Sequence, residues 1–389
     1  MKIAYIVRNY DLKGGISGYT AALAGRMSLN NEVHVYAASF DGAPLNVRRH
    51  LIPSLSSAYL KKHKKHALNV ALEVASFMWS SKNRIGEDEY DIIHSQGDFL
   101  NDCDIYTAHS CHKAWLETAN AANMGFIEKL RKSSFNPLHA LILKSEYYGI
   151  MKSKKIIAVS NSVKNELIAH YPQSAGKIEV IYNGVDTKRF NPQNRPRFRE
   201  TIRKEYSLKD KDILAVFPAH EFKRKGILQI IQAMKILNRD DFFLLVVGRD
   251  DPAKYEAGIK GSGLEKQILF AGEQPAIEKQ YAAADLMLFP TLYEPFGLVI
   301  TEAMASGLPV IVSASAGAAE LITDGRDGLL IKDRNDSKEI AGKIKYIADN
   351  REGILEMAES ARRRAENFSW QNVAGQIYSL YESVLKEKK

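Results

Sequence analysis

The chain is expected to fold as an α/β protein with two Rossmann-like, doubly wound parallel-sheet domains, and three observations predict this. Apolar strand-like runs alternate with helical stretches along nearly all of its 389 residues, the runs fall into two sets, and a polar segment with two prolines separates the sets. The first set is Ile3–Val7, Glu32–Ala37, Asp91–His94, Ile156–Val159 and Ile178–Tyr182. Then comes 183–198, which carries Asn-Gly and both prolines and has the composition of a linker. The second set runs Ile213–Phe217, Phe242–Gly248, Ile268–Gly272, Leu286–Pro290, Pro309–Ser313 and Gly328–Ile331, and a last helix follows from near Phe368. The length suffices for two cores, and no repeat of solenoid length interrupts the pattern. Two open sheets whose strand ends face a central cleft collect ligands at the carboxyl ends of their strands, so functional residues are expected in post-strand loops.

Charge is uneven. The net formal charge is +8, yet residues 1–190 hold 24 Lys and Arg against 17 Asp and Glu, and the remainder 30 against 29. Clusters at Lys61–Lys65, Lys129–Lys132 and Lys152–Lys155 stand near Trp79, Trp115, Phe126 and Phe135 in sequence. This suits an anionic membrane surface, and equally a solvated face beside core aromatics. No nucleic-acid motif accompanies the charge, so no nucleic-acid partner is expected. Cys103 and Cys111, in one loop-like region, offer neither a disulfide framework nor metal-ligand spacing, and fit free thiols in a reducing cytoplasm. The N-terminus begins a strand at once without a secretory h-region, and no apolar run approaches the ~20 residues that span a bilayer.

The most informative stretch is Glu294-Pro-Phe-Gly-Leu-Val-Ile-Thr-Glu302. Glu294 follows an apolar strand, and Glu302 is expected about two turns into a helix opened by Gly297. The N–H groups of Phe296, Gly297 and Leu298 would be the donors of that helix N-terminus, where phosphate or another anion is favoured. After the strand Ile213–Phe217, Pro218-Ala-His-Glu-Phe-Lys-Arg224-Lys225-Gly226 supplies a guanidinium fork and a point charge suited to a diphosphate, or simply a solvated basic turn. In the first half, Gly14-Gly15 allows close backbone approach to a ligand, though any turn uses such a pair. His109, at the end of a strand that includes Asp104–Thr107, and His94, one strand earlier, are placed to hydrogen-bond a ligand or to serve the core. Arg249 and Glu273, at two further strand ends, stay unassigned.

The Glu294–Glu302 run, followed by Gly307-Leu-Pro-Val and by the Gly317–Glu320 and Asp324–Ile331 segments, resembles the E-x7-E signature region of glycosyltransferase family 4. The resemblance is strong over residues 150–335 and implies the GT-B fold and retaining transfer from a nucleotide-diphosphate sugar. Asn183-Gly-Val-Asp resembles that family's inter-domain segment, which implies domains at 1–186 and 187–368, with a C-terminal helix, 369–389, packing back on the first. It further implies that Glu302 accepts from both ribose hydroxyls and Glu294 from a donor-sugar hydroxyl. Arg224, Lys225, the Gly297 helix start and Gly15 would stabilise the departing diphosphate in place of a metal, and His109 would act at the sugar. No metal or other cofactor is then expected. Many members carry an arginine six positions before the lysine; here that place is Ala219.

The order of the segments around Lys225, Gly248 and Ala282–Pro290 is similar to that of the lipopolysaccharide core glucosyltransferases within the family. This implies a UDP-sugar such as UDP-glucose as donor, a cell-envelope glycan or glycolipid as acceptor, and a cytoplasmic, peripherally membrane-bound enzyme. A non-catalytic sugar-nucleotide or membrane-binding module on the same fold is the alternative. A nicotinamide oxidoreductase is disfavoured, because G-x-G-x-x-G is missing after the first strand and the second ends without an acid.

Overall fold

The structure is a computed structural model, and it describes residues 1–12, 14–42, 46–55, 66–86, 89–97, 99, 102–121 and 136–388. Two compact units divide the chain: residues 1–184 with 370–389, and residues 185–369.

Among its described residues the first unit has nine strands: β1 (Lys2–Ile6), β2 (Asn9–Asp11), β3 (Glu32–Ala37), β4 (Ser39–Asp41), β5 (Arg48–Leu51), β6 (Ile92–Ser95), β7 (Cys103–Ala108), β8 (Ser153–Ala158) and β9 (Ile178–Val180). Seven of them make one sheet in the order β5-β3-β1-β6-β7-β8-β9, and β2 pairs with β4 separately. Every pairing is parallel. The edge strand β5, Arg-Arg-His-Leu, and the short β2/β4 pair were not expected from sequence. Strand β5 lacks the apolar run that marks a covered strand, and at an edge it needs none.

The core of this unit is completed from the far end of the chain. Trp370, Val373, Ile377, Leu380, Tyr381 and Val384 of the helix Trp370–Lys388 are buried together with Ile3, Tyr5, Val33, Val35, Ile92 and Ile105. Burying each such side chain stabilises by roughly 1.5–3 kcal/mol. The seam is close at its start, since a Cβ on Gly184 would lie 2.5 Å from the Trp370 ring.

The second unit carries β10 (Ile213–Pro218), β11 (Phe242–Val247), β12 (Ile268–Gly272), β13 (Leu286–Phe289), β14 (Val310–Ser313) and β15 (Leu329–Ile331) in the order β12-β11-β10-β13-β14-β15. All of β10, β13 and β14 is buried, as strands with helices on both faces must be. In both units the order reverses beside the first strand, between β1 and β6 and between β10 and β13. That reversal is the topological switch point where open sheets of this kind hold ligands.

Three expectations about charge and cysteine need correction or restriction. Cys103 opens β7 and is not in a loop; both thiols are free and buried. The Lys152–Lys155 cluster is paired, with Lys152 to Asp102 at 3.3 Å, Lys154 to Asp104 at 3.1 Å and Lys155 to Glu387 at 3.2 Å. The clusters at 61–65 and 129–132, with Phe126 and Phe135, lie outside the described residues. Among the described residues, no helix is long and apolar enough to cross a membrane.

Candidate active site

Two loops leave the second sheet at its switch point, 219–226 after β10 and 290–297 after β13. They are laced together: Leu292 N–H donates to Arg224 O at 3.0 Å, and the Arg224 guanidinium donates to Tyr293 O at 2.8 Å. Gly226 makes the approach possible. Its φ is +96°, and a Cβ there would fall 2.2 Å from the Pro290 carbonyl oxygen. On the other side Gly317 N–H and Ala318 N–H donate to Glu294 O and Phe296 O at 2.9 and 2.7 Å, and a Cβ on Gly317 would lie 2.0 Å from Pro295 O. Asp250 anchors the first loop by accepting from Phe222 N–H at 2.9 Å and from the Tyr255 hydroxyl at 2.8 Å. Glu221 sits there at φ +55°, a left-handed conformation of the sort kept at constrained functional turns.

Inside this clamp the Lys225 ammonium donates to Glu294 Oε2. Their side chains are only 8% and 17% exposed, and Lys225 also stands 5.2 Å above the Phe289 ring. Burial pulls the ammonium's pKa down, and the Glu294 charge opposes this. Sequence gave these two residues separate expected partners, a diphosphate and a sugar; the fold brings them together. Arg224 is held by Glu221, with Nε 2.9 Å from Oε2, so its fork is partly occupied within the protein.

The helix after the second loop is Leu298–Ala305, with Gly297 as N-cap at φ +95°. It starts one residue later than expected, which puts Glu302 little more than one turn inside it. No described residue's hydrogen bond takes the N–H of Gly297 or Leu298. Glu294 does not cap the helix. Glu302 is partly buried, accepts from the Tyr281 hydroxyl at 3.1 Å, and has its carboxyl pushed up to about 7 by burial. Arg249 and Glu273 pair with each other at 3.3 Å and are well exposed.

In the first unit, the helix Gly15–Met27 opens at Gly14 and Gly15, with φ +90° and +60°. Nothing lies within 4 Å of a Cβ built on either glycine. His109 follows β7. Its Nε2 lies 2.9 Å from Gln96 Oε1, and its ring meets Tyr19 edge-on at 4.9 Å between centroids. Burial lowers its pKa to about 3, so the imidazole is neutral. His94 serves the core: Nδ1 and Nε2 are each 2.6 Å from a hydroxyl, of Tyr381 and Thr107. Sequence reasoning did not single out Tyr281, Asp250, Gln96 or Tyr19. Asp250, one residue beyond Gly248-Arg249, had a detectable signal as a polar residue at a strand end; Tyr281 had none.

Two Rossmann-ordered parallel sheets, with a lysine–carboxylate pair beside a helix N-terminus at one switch point, are what the resemblance to GT-B glycosyltransferases implies. The comparisons agree. Residues 13–189 match the family described as Glycosyltransferase Family 4, and residues 198–368 that described as Glycosyl transferases group 1. Together these take in most of the chain, which belongs to this glycosyltransferase family. The chain is 27% identical to an uncharacterised glycosyltransferase of Methanocaldococcus jannaschii over 99% of both chains. It is 24% identical to the lipopolysaccharide glucosyltransferase WaaG of Escherichia coli over 94% of both. The crystal structure of WaaG shares the fold with a TM-score of 0.78 at 22% identity, covering 96% of this chain and 98% of that one. Anabaena HepE in complex with UDP-glucose does so with a TM-score of 0.72 at 19% identity, over 98% and 100%.

Proposed function

We propose that the chain is a retaining hexosyltransferase that moves a hexose from a nucleotide-diphosphate sugar, a UDP-sugar such as UDP-glucose, to a cell-envelope glycan or glycolipid of the lipopolysaccharide-core kind. The observation that carries this reading is the Lys225–Glu294 pair at the switch point, directly before the Gly297 helix start. The relationship to WaaG supports the acceptor class, and the UDP and UDP-glucose complexes of HepE support the donor.

Diphosphate departure builds negative charge at the leaving oxygen. Lys225, Arg224, the N–H groups of Phe296, Gly297 and Leu298, and Gly15 are the groups assigned to it, doing electrostatic work without a metal. Lys225 would then exchange Glu294 for phosphate oxygen, which frees Glu294 to accept from a sugar hydroxyl. Glu302 takes the ribose diol through its two oxygens. His109, neutral, is assigned to a sugar hydroxyl through the ring nitrogen not used by Gln96. The anomeric carbon loses its bond to the phosphate oxygen and gains one to the acceptor oxygen on the same face. The acceptor proton passes to the leaving phosphate, so configuration is retained. We place the enzyme at the cytoplasmic face of an anionic membrane, consistent with the basic first half and an acceptor of this class.

Calorimetric titration with UDP-glucose, UDP-N-acetylglucosamine and GDP-mannose, followed by analysis for slow hydrolysis, tests the reading. Selective binding with release of free nucleotide is expected. Failure of every donor to bind folded protein would move the assignment to the non-catalytic module.

A further inference from the structure

We infer that Tyr281 is a positioning residue of the donor site, holding the Glu302 carboxyl correctly turned for a ribose diol. The inference rests on the assignment of Glu302 to the nucleotide and goes beyond it, because Tyr281 comes from a different element, the helix Ile277–Ala283.

The geometry is specific. Tyr281 is fully buried, and its hydroxyl lies 3.1 Å from Glu302 Oε2 and 3.4 Å from Val299 O. It has one proton to give, and the shorter contact is to the stronger, anionic acceptor. The ring is fixed by an edge-on contact with Phe190, 5.9 Å between centroids. Glu302 Oε1 accepts from no described residue. One carboxylate oxygen is therefore pinned by the protein, and the other, with the spare lone pair of the first, is available to two hydroxyls.

This arrangement solves a charge problem. Burial favours the neutral carboxylic acid, and a neutral acid has a proton of its own to place, which spoils double acceptance from a diol. Three neighbours act on the charge. The Tyr281 hydrogen bond and the Arg189 guanidinium favour the carboxylate, and Glu278 opposes it. Arg189 is itself tied to Glu278, 2.8 Å from Oε2, so its help is already shared. Among the described residues, Tyr281 is thus the one neutral group that both orients the carboxylate and favours its charge.

The test measures Kd for UDP, ADP and GDP and for their 2′,3′-dideoxy counterparts, across pH 6 to 9, in the wild type, in Tyr281→Phe and in Glu302→Gln. The wild type should prefer the diphosphate that carries the diol, increasingly so as pH rises through 7. Tyr281→Phe should weaken the diol-bearing ligand by about fivefold near neutrality. That loss should shrink toward pH 9, with little change for the dideoxy ligand. Glu302→Gln should bind weakly at every pH, and adding Tyr281→Phe to it should cost nothing further in diol preference. A Tyr281→Phe protein with the wild-type diol preference at all pH values would overturn the inference while leaving Glu302 at the nucleotide. A wild type indifferent to the diol, or to every diphosphate, would overturn the assignment of Glu302 beneath it. Should Tyr281→Phe fail to fold, the pH profile of Glu302→Gln against wild type decides, since a flat wild-type profile leaves no titrating carboxylate to be positioned.

Discussion

The Nδ1 atom of His94 lies 2.6 Å from the hydroxyl of Tyr381, 287 residues further along the chain. Tyr381 in turn shares a 2.9 Å hydrogen bond with the Tyr5 hydroxyl, so β1, β6 and the C-terminal helix meet at one polar point in an apolar core. Buried polar groups of this kind are tolerated only when each has a partner, and here each does.

The first expectation concerns acid. His94 and His109 have pKa values lowered to about 3, by burial and, for His94, by the neighbouring His109 as well. An unfolded chain protonates these residues below about pH 6.5, while the folded form stays neutral. Stability should therefore be complete above that value and be lost as pH falls from 6.5 toward 3. At pH 5.5 the loss is about 1.4 kcal/mol per histidine. All three tryptophans, Trp79, Trp115 and Trp370, belong to the first unit, so their fluorescence in urea melts at pH 7.5 and 5.5 reads it selectively. An unchanged midpoint would disprove the neutral-histidine account.

Glu302 should act in the opposite sense on the second unit. Its carboxyl is raised to about 7 by burial, above the ordinary carboxylate value, so the folded form binds a proton that the unfolded chain has released. The destabilisation is full above pH 7 and fades as pH falls toward the unfolded value near 4.3. Glu302→Gln should raise the circular-dichroism midpoint at pH 8 and have little effect at pH 4.5; equal effects at both would contradict it.

Removing Lys225 alone strands Glu294 in a half-apolar clamp. Lys225→Met is expected to reduce turnover at least ~100-fold and to cost roughly 1–3 kcal/mol of stability, less than a fully buried pair because Glu294 keeps some solvent. The double variant Lys225→Met/Glu294→Gln should recover much of the stability and none of the turnover. Recovery of both would take the pair out of the active site.

Gly226→Ala tests the lacing of the two loops. The added Cβ meets the Pro290 carbonyl, and φ +96° strains any other residue, so a loss of about 2–4 kcal/mol is expected together with weaker donor binding. A thermal melt and a calorimetric titration on the same sample suffice, and an unshifted melting temperature would show that the loops do not need this approach.

How much of this was legible in the sequence depends on the range of the interaction. Runs such as Ile213–Phe217 and Leu286–Pro290 announce covered parallel strands locally, and Glu294, Gly297 and Glu302 belong to one continuous motif. Lys225 and Glu294 are 69 residues apart, and their meeting depends on β13 lying beside β10, which is strand order and not local pattern. Tyr281 reads as one more apolar position in a short helix, because nothing in its neighbours distinguishes a buried hydroxyl with a partner from a ring in a core. His94 and His109 look equivalent as strand-end histidines; only the C-terminal helix, arriving with Tyr381, makes one of them structural. The Lys152–Lys155 run looked like a free basic patch because its acidic partners Asp102, Asp104 and Glu387 come from other elements.

The return of Trp370–Lys388 to the first unit also sets an order of assembly on the ribosome. Residues 185–369 form an uninterrupted block whose core draws on one continuous stretch of chain. The earlier-made unit must wait, its apolar groove open between Tyr5, Val35 and Ile92, until the last helix has left the exit tunnel. Although its synthesis starts first, the N-terminal unit receives its last core element only at the end of the chain, and that waiting interval is when a chaperone that recognises exposed aliphatic and aromatic side chains has most to offer it.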